Sequence, residues 1–206
     1  MGSGRSELLR AVFGLAPVQS GTIRVGVHTG PGSPNQRLNQ GMGMLSEDRK
    51  GEGLAANLSI ADNITLSRLG DLGPRGFIAP ARQAERATIW IEQLAIRCQG
   101  PEQPVSALSG GNQQKVALAR LLHHEVDILL LDERTRGIDV ASRQEVYRQI
   151  HRLAEAGKGV LVVSSYLPEL FAICDRIAVM RRGELSQAKP TDDWTEEELM
   201  REAAVA

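Results

Sequence analysis

Leu108-Ser109-Gly110-Gly111-Asn112-Gln113-Gln114-Lys115 is the stretch whose reading decides the fold. A Ser-Gly-Gly at the head of a helix sets a hydroxyl and bare backbone N–H groups where the helix dipole favours negative charge. Downstream, 23 positions after Ser109, an apolar run ends in Asp132 and Glu133. A buried strand with that ending offers one carboxylate to Mg2+ and a second to a water. Together the two pieces describe a holder of a nucleotide triphosphate.

Upstream of the quoted stretch, residues 54–106 have a helical texture. Ser59 reads as an N-cap with Asp62 three positions on. Ala84, Ala87, Ile91 and Leu94 share one face of a second helix. This segment is expected to be a helical subdomain inserted between two parts of an α/β core. Before it, residues 43–45 read as a short strand running into the charged cluster Glu47, Asp48, Arg49 and Lys50. Residues 26–36, with Gly26, Gly30, Pro31, Gly32 and Pro34, read as a loop. Residues 22–25 alternate like a strand. Residues 7–13 form a helix, with Leu8, Leu9, Val12 and Phe13 on its apolar side and Gly14 as its stop.

Downstream the pattern is strand, helix, strand. Residues 126–131 are a nearly continuous apolar run, as in a parallel strand buried on both faces. Val146, Ile150 and Leu153 mark a helix, 159–163 a strand, and 167–173 a short helix. Residues 176–180 and 184–185 read as a hairpin about Gly183, and an acidic helix follows Thr191.

The chain has 206 residues, 42% of them hydrophobic and 24% charged, which suits a globular domain. A net charge of -1 argues against a dominant nucleic-acid face, and 3% aromatics leave few platforms for stacking bases. Cys98 and Cys174 have no metal-ligand spacing and read as inert thiols. His28, His123, His124 and His151 read as surface histidines. No apolar stretch is long enough for a membrane span.

In this order the motifs resemble the ATP-binding domain of an ABC transporter. The likeness is to the second ATP-binding half of the tandem ATPases of bacterial importers for ribose, galactose or xylose. It rests on Gly2, Ser3, Gly4, Arg5, Ser6 and Glu7; on residues 46–50; on residues 108–115; on residues 131–133 with 135–139; and on residues 163–165. The fold class implied is α/β, a P-loop NTPase-like nucleotide-binding domain over residues 1–206. The helical subdomain at 54–106 lies within it, and the strand before the P-loop is absent.

The resemblance implies ATP and Mg2+ as ligands and assigns roles. Gly2, Ser3, Gly4, Arg5, Ser6 and Glu7 form the end of a P-loop. Ser6 and Asp132 hold the metal, and Glu133 polarises the attacking water. Leu108, Ser109, Gly110, Gly111, Asn112 and Gln113 form the signature that meets the γ-phosphate held by the opposite half. Asp139 contacts that half, and Glu47 and Ser165 complete the chain's own site.

Several positions depart from the family pattern. Arg5 stands where lysine is usual, Glu47 for glutamine, Ser165 for histidine and Arg134 for proline. The first three weaken the chain's own site, while the signature, which serves the other, is intact. The expected device is therefore asymmetric. Its implied partners are the first ATP-binding half, transmembrane permease subunits and, indirectly, a periplasmic sugar-binding protein, with no nucleic acid. Its expected location is peripheral, on the cytoplasmic face of the inner membrane. Lacking the strand before the P-loop, the isolated chain is expected to be unstable. A non-catalytic or defunct nucleotide-binding fragment is the alternative, ahead of a non-transport ABC ATPase.

Overall fold

The computed structural model describes residues 3–46, 53–73, 77–132 and 140–204. The chain opens on α1 (Arg5–Phe13), which buries Leu9 and Phe13 and ends at Gly14. A hairpin of β1 (Arg24–Val25) and β2 (His28–Thr29) follows. Where a loop was expected, α2 (Pro34–Asn39) forms. The reason is a capping box: Ser33 Oγ accepts from the Gln36 N–H, the Gln36 side chain accepts from the Ser33 N–H, and Pro34 sits in the first turn.

Three parallel strands make the central sheet in the order β3 (Met42–Leu45), β4 (Ile128–Asp132), β5 (Gly159–Val163). The register pairs Leu45 with Leu131 and Asp132 with Val163. Side chains alternate across the sheet. Met42, Met44 and Leu130 pack with Leu9 and Phe13 of α1. Leu45, Leu129 and Leu131 pack on the other side with α5 (Gly110–His123) and α6 (Val140–Glu155). A Cβ on Gly43 would come within 2.8 Å of Leu121, so the bare backbone there lets α5 lie close. The sheet therefore has α1 on one face and α5 on the other.

β4 and β5 are equally apolar in sequence but not equally covered. Leu129, Leu130 and Leu131 are buried, whereas Leu161 of β5 is 44% exposed. Among the described residues β5 pairs only with β4.

Between β3 and α5 lie, among the described residues, α3 (Ile60–Thr65), α4 (Pro80–Gln93) and two short 3-10 turns. The Ser59 N-cap forms as read from the sequence: Ser59 Oγ accepts from the Asp62 N–H at 3.0 Å and donates to Asp62 Oδ2 at 2.7 Å. Fully buried Asn63 ties the start of this region together, its side chain exchanging hydrogen bonds with both the N–H and the C=O of Ala55. Ile60, Ile64, Ala87 and Leu94 share one apolar core with α5, β4 and α6.

The histidines depart in part from the surface reading. His28 and His151 are exposed, but His123 and His124 are half-buried. The His124 ring nitrogens face the carbonyls of Ser67 and Leu38, and His123 Nε2 faces that of Arg68. These contacts fasten the turn after α3, and α2 through Leu38, to the end of α5.

After β5 come α7 (Leu167–Ile173) and four short strands: β6 (Arg176–Ile177), β7 (Met180–Arg181), β8 (Glu184–Leu185) and β9 (Lys189–Pro190). The expected single hairpin is two nested pairs, β7 with β8 and β6 with β9. The acidic tail forms α8 (Glu196–Ala204), anchored beside Trp194, whose indole N–H donates to the Ile177 carbonyl.

Candidate functional site

The N-terminus of α1 and the C-terminus of β4 meet. Gly4 begins the helix at φ 94°, a left-handed conformation that favours glycine, and it has no side chain with which to cap the first turn. The turn is fixed from outside, because the Gly183 N–H donates to the Ser3 carbonyl at 3.0 Å. At the second residue of α1, Ser6 Oγ donates to Asp132 Oδ1 at 3.1 Å. These two residues are 126 positions apart in sequence, and Asp132 is buried at 4% exposure. A carboxylate can only accept, so the serine proton is directed to Asp132 and the serine lone pairs face away. Arg5 and Ser6 are half-buried, while Glu7 is exposed.

The second element is the head of α5. Ser109 is its N-cap residue, with φ -62° and ψ 156°, yet its side chain bonds no backbone N–H of the helix. Instead Ser109 Oγ accepts from Asn112 Nδ2 at 3.0 Å. Asn112 Oδ1 in turn accepts from the Arg97 backbone N–H at 2.9 Å. Gln113 Nε2 donates to the carbonyls of Val105 and Leu108, both at 3.2 Å. Lys115 Nζ donates to the Ala95 carbonyl at 2.8 Å. Ala95 has φ 47°, unusual for a residue with a side chain, and the lysine helps hold it there. Leu108 is buried in the core, Gly111 is buried, Gly110 is half-buried, and Ser109 is exposed.

Residues 1–136 match the ABC transporter family, well over half of the 206 residues. The chain belongs to that family. Among its curated relatives are ribose import ATP-binding proteins. RbsA 1 of Burkholderia cenocepacia is 46% identical over 90% of this chain and 36% of its own length. RbsA 2 of Rubrobacter xylanophilus is 44% identical over 97% of this chain and 39% of its own length. RbsA of Bacillus licheniformis is 40% identical over 97% and 41%. The chain thus spans roughly two fifths of the length of these relatives. The fold also matches a solved ATP-binding cassette, a dimer in a post-hydrolysis state bound to ADP and Pi. The TM-score is 0.76 and the identity 21%, covering 92% of this chain and 81% of that one. This likeness shows the ABC ATPase fold.

For an ABC ATP-binding chain, the turn after β5 is the third element of interest. Ser165 is exposed on it. Its neighbour Ser164, which the sequence reading passed over, shapes the turn: Ser164 Oγ accepts from the Tyr166 N–H at 3.0 Å and donates to Glu169 Oε2 at 2.7 Å. Glu169 is buried at 2% exposure. The signal was a serine placed to bond two positions ahead, a turn-forming pattern. Arg143 lies over the Tyr166 ring, 5.2 Å from its centroid. Burial, with Glu169 and Asp175 adding to it, pushes the Cys174 thiol up to about 11, an inert thiol as expected.

The structure brings Ser6 and Asp132 together. It places Ser109 on the opposite face of the sheet, at the head of α5. Gly2, Glu47, Glu133, Arg134 and Asp139 lie outside the described residues. Asn112 and Gln113 direct their side-chain amides at neighbouring protein groups, and these internal bonds had no sequence signal beyond the residue types themselves.

Proposed function

We propose that this chain is the ATP-binding part of a sugar importer whose signature helix completes the ATP site of a partner half. Its own site is built by Ser3, Gly4, Arg5, Ser6, Glu7 and Asp132. The observation that carries the reading is the hydrogen bond from Ser6 to Asp132 at the N-terminus of α1. It gathers a carboxylate, a hydroxyl and the first turn of a helix at one spot, as a phosphate–metal site requires.

The residues fit Mg2+. Ser6 lone pairs and the Asp132 carboxylate are hard oxygen donors. Among the described residues no group of three or more His, Cys, Asp or Glu could cage a metal alone. A magnesium ion sharing its ligands with water and phosphate oxygens needs no such cage. When bound, it neutralises charge on the β- and γ-phosphates. Ser6 and Asp132 orient its site, and Glu133 would orient the water.

Ser6 belongs to the helix on one face of the sheet and Ser109 to the helix on the other, which supports a reading in which they serve different nucleotides. Two halves facing each other satisfy both. Residues 54–106 would act as the helical subdomain that meets the permease. Leu66, Leu69, Phe77 and Ile78 are exposed there, apolar side chains suited to a partner surface. No helix among the described residues is long and apolar enough to cross a membrane, and the proposed place is peripheral, at the cytoplasmic face. A ribose-class monosaccharide is the proposed cargo, supported by the names of the relatives.

The test uses the complete transporter in vesicles. Ser109→Arg should abolish ATP turnover, whereas Glu133→Gln should reduce it less, because Arg5, Glu47 and Ser165 already weaken that site. Equal losses would overturn the asymmetry.

A further inference from the structure

We propose that Asn112 is a positioning residue that turns the Ser109 hydroxyl proton outward, towards the phosphate of the opposing half. This rests on the reading of Ser109 as a phosphate contact, and deepens it.

The argument is one of donors and acceptors. The Arg97 backbone N–H can only donate, so the Asn112 atom facing it at 2.9 Å is the carbonyl oxygen. That fixes the amide orientation, and the group facing Ser109 at 3.0 Å is then the NH2. An NH2 can only donate, so Ser109 Oγ must accept, and its own proton is free to point elsewhere. Ser109 Oγ bonds no backbone N–H of its helix, so within α5 the Asn112 amide alone sets that hydroxyl. The exposed serine therefore presents a proton, which is what an anion needs.

α3 supplies the control. Ser59 has φ -64° and ψ 165°, almost the backbone of Ser109 at -62° and 156°. Three residues on stands Asp62 instead of Asn112. The aspartate accepts the Ser59 proton at 2.7 Å, and Ser59 Oγ caps the Asp62 N–H at 3.0 Å. With an acceptor at the third position the hydroxyl is consumed by its own helix. With an oriented donor there, it is released. The turn at 95–97 controls the outcome, because it supplies the N–H that orients Asn112, and Lys115 clamps it through the Ala95 carbonyl.

The test is Asn112→Asp, made in the complete transporter in both the Ser109 and the Ser109→Ala backgrounds. Measured are kcat and KM for ATP hydrolysis, and Tm. In the Ser109 background, kcat should fall roughly ten- to a hundredfold, the loss expected for one charge-assisted hydrogen bond. KM should change little and Tm should hold or rise, because the new aspartate can close a capping box. In the Ser109→Ala background the same change should move kcat by less than about twofold. Equal falls in the two backgrounds would mean that the aspartate acts by its charge alone, and would overturn the positioning role. A Ser109→Ala variant with undiminished kcat would overturn the phosphate reading beneath it, and the proposal as well.

Discussion

Ser59 and Ser109 occupy the same position on two helices, with nearly the same backbone angles and opposite duties. Ser59 is closed into its helix by Asp62. Ser109 is held from the side by Asn112 and caps nothing. The first arrangement stabilises a helix, and the second leaves a hydroxyl proton that can point to a ligand. Ser33 and Thr195 side with Ser59, each capping the residue three positions on. Ser6 completes the contrast: its proton goes to Asp132, leaving lone pairs outward for a cation. What differs is the part of each hydroxyl left over: Ser59 gives its proton and a lone pair to its own helix, whereas on the proposed reading Ser6 keeps lone pairs for a cation and Ser109 keeps a proton for an anion.

The largest effect should come from removing the acceptor that sets Ser6. Asp132→Asn keeps the shape and removes the charge. Mg2+-dependent binding of an ATP analogue at this chain's own site should weaken by about a hundredfold, as read by fluorescence titration. Ser6→Ala should weaken it by roughly tenfold, because it deletes one neutral oxygen and leaves the carboxylate. Unchanged metal dependence in both would detach this pair from the ligand.

On the structural side of the contrast, Asp62→Asn should cost about 1 kcal/mol by opening the α3 box, seen as a Tm lowered by about 2–4 °C. No shift would mean that the box is idle. The smallest effect belongs to α8. Backbone and side-chain hydrogen bonds from Thr195 hold the Glu198 carboxyl below the usual carboxylate value. Its folded value is depressed, so this contribution is present above the unfolded value of about 4.3 and is lost as pH falls through the folded one. Amide exchange in α8 should quicken there, and Glu198→Gln should flatten that dependence.

Much of the fold was legible because its periodicities are local. The apolar run at 126–131, the Ser59–Asp62 cap and the Gly14 stop each depend on residues a few positions apart. α2 was missed because glycines and prolines dominated the reading of 26–36, although Ser33, Pro34 and Gln36 carried the helix signal. The paired strands at 176–190 were simplified because nesting depends on long-range register. At the proposed site, residue types pointed to Ser6, Asp132 and Ser109. They could not reveal the polarity of each hydroxyl, which depends on a backbone N–H at Arg97 and a carboxylate 126 positions away. Ser164 and Glu169 went unread for the same reason, since the bond matters only once β5 ends where it does.

The most direct test is the pair Ser59→Ala and Ser109→Ala, each measured for Tm and for ATP turnover in the complete transporter. Ser59→Ala should lower Tm and leave turnover intact. Ser109→Ala should leave Tm intact and lower turnover by roughly tenfold or more. If the two variants lose the same property, the division between capping and presenting serines is wrong.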